Sequence, residues 1–180
     1  MKLALRIGGI AACFALVSAV CAVSSSPEDE LKAAAVLGFL RYSQWSPASA
    51  GPITVGVFGR AEFSAALERT LDGKTIGNRP VKLVQLRQAA DARGCQLVYV
   101  SAAKAAEVKR VLAQSAAPVL TVGESEHFLE YGGAIYLFLI DGHIGFEVDL
   151  QTLGRSGVSI SPSMLRLGQI RGAGGGVTAR

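Results

Sequence analysis

The sequence predicts an α/β domain: a three-layer sandwich in which a mixed, partly parallel sheet is flanked by helices and extended by a C-terminal β-hairpin. Three observations carry this expectation. Between Ile53 and Val122, strand-length and helix-period runs follow one another as strand, helix, strand, strand, helix, strand, the pattern of parallel strands joined by helical crossovers. Leu97 to Val100 is apolar throughout, as a central strand covered on both faces must be. Ala134–Ile140 and Ile144–Leu150 are strand patterns joined by Asp141-Gly142, a dipeptide suited to the positive backbone angles of a two-residue hairpin turn.

The elements are expected in this order. Met1–Ala22 reads as a secretory signal peptide, with Lys2 and Arg6 at its start, an apolar run from Ile7 to Val20, and small residues near Ala22 and Ser24 for cleavage. The apolar run falls short of the roughly 20 residues needed to cross about 30 Å of hydrocarbon. Cys21 offers a rival reading, a lipidated cysteine, but Val20 before it is bulkier than such sites usually carry. Ser26-Pro27-Glu28-Asp29-Glu30 starts a helix, with serine as cap, proline in the first turn and three acids at the positive end of the dipole. Leu31, Ala34, Ala35 and Gly38 recur at helical spacing beside Val36, Phe39 and Leu40, so this helix should run to Tyr42 and be buried over most of its circumference.

Ile53–Phe58 is a strand, Ala61–Leu71 a helix with Phe63, Leu67 and Leu71 at four-residue steps, and Val81–Leu86 a second strand. Ser101 is expected to cap a helix from Ala102 to Gln114 that presents Ala105, Val108, Val111 and Leu112 as its apolar face. Val119–Val122 is a short buried strand, and Ser161-Pro162-Ser163 opens a short helix with Met164, Leu165 and Leu167. The organisation is thus residues 1–22 as signal, 26–170 as one domain, and 171–180 as a flexible glycine-rich tail.

Composition narrows the function. The formal charge of +4 falls to +2 without Lys2 and Arg6, and no block of Lys or Arg occurs, so nucleic acid is not an expected partner. Of three cysteines only Cys95 lies beyond the cleavage region, which rules out an intramolecular disulfide in a chain cut after Ala22; its place before Leu97–Val100 predicts burial. His127 and His143 are the only histidines and lack HxxxH or HxH spacing, so neither a metal framework nor a catalytic triad is expected. Glu124 and Glu126 read as acids at a helix start, with Ser125–Phe128 opening one helical turn. Gly56 and Gly59 stand at a strand-to-helix turn where a phosphate could bind, but GxGxxG and GK[ST] are both absent. No cofactor is expected. Phe128, Tyr131, Tyr136, Phe138 and Phe146 form an aromatic group, mostly core, one side of which could face a protein or a small apolar ligand.

The ordered segments resemble the YfiR family of small exported α/β proteins, also named for HmsC. The resemblance rests on Leu31–Tyr42 followed by Gln44-Trp45-Ser46-Pro47, Ile53 to Gly59 with Phe63, Gly77 and Arg79-Pro80-Val81, and Gly94 to Ser101. It continues through Pro118 to Glu124 with Phe128 and Gly132-Gly133, then Gly145 to Leu150, Gly157, Ile160-Ser161 and Leu165-Arg166-Leu167. It implies a periplasmic regulator without chemistry of its own, which restrains a membrane-anchored diguanylate cyclase by binding its periplasmic domain and so tunes cyclic di-GMP and biofilm formation. A homodimer is expected, with the partner surface near Phe128, Tyr131, Arg155 and Arg166. Two departures stand out: Ser46 is inserted between Trp45 and Pro47, and Cys95 has no partner cysteine for a redox switch. The alternative is a small-ligand binding module whose strand-end glycines and aromatics line a cleft.

Overall fold

The computed structural model describes residues 25–45, 51–101, 104–171 and 177–178. Ser26 caps the first helix, α1 (Pro27–Tyr42), by accepting from the Asp29 N–H at 3.1 Å while the Asp29 carboxylate accepts from the Ser26 N–H, a reciprocal box at the helix start. The chain then passes through β1 (Ser43–Trp45), β2 (Ile53–Phe58), α2 (Ala61–Leu71), β3 (Thr75–Ile76), β4 (Arg79–Gln85), a 3-10 turn at Ala89–Ala92, and β5 (Leu97–Val100). It continues with α3 (Ala105–Gln114), β6 (Leu120–Gly123), β7 (Ile135–Ile140), β8 (His143–Asp149), α4 (Leu150–Arg155), β9 (Val158–Ile160), α5 (Pro162–Leu165), β10 (Gln169–Arg171) and β11 (Val177–Thr178).

The main sheet has the order β11-β10-β8-β7-β6-β5-β2-β4-β3, with β4, β2, β5, β6 and β7 mutually parallel and β8 antiparallel to β7. The period-two alternation of the strands divides the core into two layers. Val55, Val57, Leu97, Tyr99, Leu120, Val122, Ile135 and Leu137 pack against Ala33, Val36, Phe39 and Leu40 of α1 and Phe63, Ala66 and Leu67 of α2. Val98 and Val100 face the other way, onto Val108 and Val111 of α3 with Leu86, Ala92, Cys95, Phe128 and Leu129. The expected three layers, mixed sheet and hairpin are therefore present. The hairpin turn has Asp141 at φ 50° and Gly142 at φ 75°, pairing Ile140 with His143.

Several local expectations are corrected. The buried stripe of α1 is Ala33, Val36, Phe39 and Leu40, while Leu31 is 42% exposed and Ala34 faces solvent, because only one side of the helix meets the sheet and α2. Ser101 does not cap α3. That helix starts at Ala105, where Glu107 accepts from the Lys104 N–H at 3.2 Å, and the Ser101 hydroxyl is used elsewhere. The Ala102 start lies outside the described residues. Ser125–Phe128 form a hydrogen-bonded turn, with the Phe128 N–H on the Ser125 carbonyl at 2.8 Å, rather than a capped helix.

Leu150 leaves the expected strand to begin α4, because Asp149 caps the Thr152 N–H at 2.9 Å. The first residue assigned to the expected tail is part of a strand. Arg171 belongs to β10 and pairs with Val177 of β11, while 172–176 lie outside the described residues. So do residues 1–24, and with them the expected signal peptide, its cleavage positions and Cys21.

Candidate functional site

Open parallel sheets bind ligands beyond the carboxyl ends of their strands, where the strand order reverses. Here that point lies between β2 and β5, since the chain leaves β2 toward β4 and returns to β5 on the other side. The protein's own groups close the crevice. Gly59, at φ +125°, lies against Ser101 so tightly that a Cβ would stand 2.1 Å from the Ser101 carbonyl oxygen. The Arg60 N–H, which opens α2, donates to Ser101 Oγ at 2.8 Å, and the Ser101 N–H donates to the Phe58 carbonyl at 2.9 Å. The N–H that follows the Gly56–Gly59 turn, at the N-cap of α2, is thus spent on Ser101, where a phosphate would have to sit.

The first two turns of α1 bring Asp29 and Lys32 beside the strand ends, both nearly inaccessible although charged. Lys32 Nζ lies 2.7 Å from Glu124 Oε2 and 2.5 Å from Glu28 Oε1. Glu124 follows β6 directly, and its other oxygen accepts from the Tyr99 hydroxyl at 2.9 Å. Arg60 Nη2 donates to Asp29 Oδ1 at 2.6 Å and stands 4.0 Å from Glu124 Oε1. Tyr99 stacks on Phe63, with centroids 4.2 Å apart. Glu124 is therefore a largely buried partner of Lys32, Tyr99 and Arg60, not the helix-start acid that its position suggests.

Electrostatics follow from this packing. Burial alone would raise the Asp29 carboxyl, but hydrogen bonds from Arg60 and Ser26 outweigh it and hold the group below the usual 3.8. Burial likewise works against the Lys32 ammonium, and its hydrogen bonds to Glu124 and Glu28 leave it raised. Burial, then the neighbouring Glu124 charge, push the Tyr99 phenol far up, so it stays a donor. A carboxyl depressed in the folded state stabilises fully above its unfolded value and loses that contribution as pH falls through the folded value. Urea midpoints should accordingly drop on acidification below about pH 4, and less steeply in Asp29→Asn, compared over pH 2–7. Parallel slopes in the two proteins would show that Asp29 does not drive the acid limb.

A second feature is concave and open. Past the cover of α3, the sheet face carrying Tyr136 and Phe138 forms a hollow of about 490 Å³, rimmed by Glu126, His127, Glu130 and the Glu147–Arg171 pair. The two rings stand 5.1 Å apart, and Gly145 lets Phe138 lie across the neighbouring strand. His127 Nδ1 is 3.1 Å from Glu130 at the surface, whereas His143 sits at the hairpin tip on the Asp141 carbonyl. Among the described residues no three His, Cys, Asp or Glu side chains are grouped to hold a metal. Cys95 is buried, and desolvation, followed by the Asp91 charge, raises its thiol.

The four residues expected at a partner surface are placed differently from one another. Phe128 is fully buried between Gly123 and Gly133. Tyr131 is half-buried under Lys109, whose ammonium stands 4.8 Å from the ring centre. Arg155 and Arg166 are exposed, bonded to Thr152 and Ser163 within their own turns. Arg155 shares a shallow hollow with Gly132, next to Tyr131, while Arg166 follows α5 on a separate element. The charged group at the strand ends was missed from the sequence. Its one legible signal was Lys32, a lone cation beside the uncharged run Ala33–Leu40.

These features define a small α/β domain with a mixed sheet and a filled strand-end crevice. The family model for DUF4154, YfiR/HmsC-like, matches residues 29–169, and the chain belongs to that family. YfiR/HmsC-like proteins are periplasmic regulators connected with cyclic di-GMP signalling. Among solved structures the chain is similar to a conserved domain protein from Vibrio cholerae O1 biovar El Tor, with a TM-score of 0.55 and 10% identity. The match covers 82% of this chain and 61% of that one, so this chain spans less than two thirds of its length; at that identity the likeness concerns the fold alone. A domain solved with L-Trp from Streptococcus pneumoniae aligns at a TM-score of 0.44 and 12% identity, over 63% of this chain and 53% of that one, and carries no argument.

Proposed function

We propose that this chain is an exported, non-enzymatic regulator that restrains a membrane-anchored diguanylate cyclase by contact with its periplasmic domain, and that it works as a homodimer. The match to the YfiR/HmsC-like family over nearly the whole described domain carries the reading. The closed switch point supports it, because the place where this kind of sheet would hold a nucleotide or substrate is occupied by Ser101, Arg60 and the first turn of α1. Tyr131, Arg155 and Arg166 remain the candidate contact residues, while Phe128 lies in the core against which Tyr131 packs.

Deleting the coding sequence should raise cyclic di-GMP in the producing cell, and the mature chain should retain a diguanylate cyclase from solubilised membranes. Unchanged cyclic di-GMP, together with no cyclase among the retained proteins, would sink the reading. The hollow at Tyr136 and Phe138 favours a second reading, a small-ligand module. A ligand that binds only the folded chain raises its melting temperature by mass action, so a thermal-shift screen separates the two.

A further inference from the structure

We infer that the outer edge of β4 is a docking strand for an acidic, extended segment of a partner protein. In the main sheet β4 pairs with β2 along Val81–Gln85, while β3 covers only Arg79 and Pro80 on its other side. The Leu86 N–H donates to the Val57 carbonyl at 2.7 Å, and in a strand alternate residues direct their backbone groups to opposite edges. Lys82 and Val84 therefore bond toward β2, and Val81, Leu83 and Gln85 face outward. Val81 spends its N–H on the Lys74 carbonyl at 3.0 Å, and among the described residues no partner takes the outward edge groups of Leu83 and Gln85. Beside them Val84 is 41% exposed, an apolar side chain that an added strand would cover.

Charge identifies the occupant. From Gly73 to Ala90 the chain carries Lys74, Arg79, Lys82 and Arg87 and no acid, bracketed by Asp72 and Asp91. Arg79 is used internally, on the Gly51 and Pro52 carbonyls. Lys74 and Lys82 are exposed and make no ion pair among the described residues. Edge lysines normally prevent two sheets from joining, and here a second copy would set the same cations against each other. An acidic strand meets no such opposition: its backbone would take the free groups of Leu83 and Gln85, and its carboxylates would lie by Lys74 and Lys82. This surface is separate from Tyr131, Arg155 and Arg166 and does not depend on the cyclase reading.

The test uses the mature chain and a labelled seven-residue peptide alternating Glu with Val. Fluorescence anisotropy should show saturable binding, and hydrogen exchange should slow at the Leu83 and Gln85 amides. Lys74→Glu with Lys82→Glu should weaken binding roughly tenfold or more, as should N-methylation of alternate peptide amides. Gln85→Pro, which removes one edge donor at an exposed position, should lose the effect while keeping the parent's unfolding midpoint. No binding, protection elsewhere, or indifference to the charge reversal would each overturn the proposal. Concentration-dependent protection of the same amides without peptide would overturn it in favour of a second copy.

Discussion

Phe128→Ala is expected to destabilise the domain by about 3–5 kcal/mol, the range for deleting a fully buried aromatic ring. The ring has no exposure, and it lies so close to the backbone that a Cβ on Gly123 or Gly133 would stand 2.3 or 2.1 Å from it. The surroundings have little freedom to collapse into the space left behind. The Gly133 N–H is tied to the Phe128 carbonyl at 3.0 Å, and the Ala134 N–H to Thr121 Oγ1 at 2.9 Å. Gly123→Ala and Gly133→Ala should also destabilise, by forcing the ring or a strand aside. By contrast, Arg155→Ala and Arg166→Ala should stay within about 0.5 kcal/mol, as surface changes do. Urea unfolding of the domain measures all five. A parent-like midpoint in Phe128→Ala would mean that the ring is not a packing element, and would return it to the partner surface.

Phe128 also shows how far the sequence could be read. Its aromatic neighbourhood was visible, but its direction was not, because the two glycines that enclose it are separated along the chain and meet only in the fold. Strands and helices with a strong period were legible: Leu97–Val100 and the Asp141-Gly142 hairpin lie where hydrophobicity and turn chemistry put them. Short elements defined by a single tertiary partner were not. Trp45 belongs to β1 because β9 pairs with it and because its indole N–H reaches the Gln96 carbonyl at 2.8 Å, neither of which leaves a local pattern. Ser101 is the clearest substitution of one role for another. Serine before a helical run reads as a cap, and a long-range donor, the Arg60 N–H, claimed its oxygen instead.

The charged group at the strand ends was hidden for the same reason: Lys32 and Glu124 are 92 residues apart in sequence. Lys32→Ala should cost up to about 3–5 kcal/mol, since removing one partner of a largely buried pair takes the nearest counter-charge from the other. Glu124 would keep only the Tyr99 hydroxyl at 2.9 Å and Arg60 at 4.0 Å. Replacing both members, Lys32→Met with Glu124→Leu, should cost clearly less than the sum of the single changes, because no orphaned charge remains. An additive double variant would show that the two groups do not depend on each other. The alkaline limb supplies an independent readout. An ammonium held above its ordinary 10.5 in the folded state contributes stability below that value and loses it as pH rises through the raised one. The parent should therefore lose stability more steeply above about pH 10.5 than Lys32→Met does. If it does, the salt bridge that closes the strand ends also anchors the N-terminal part of α1, and what would be a ligand crevice in another α/β domain serves here to fix a helix in place.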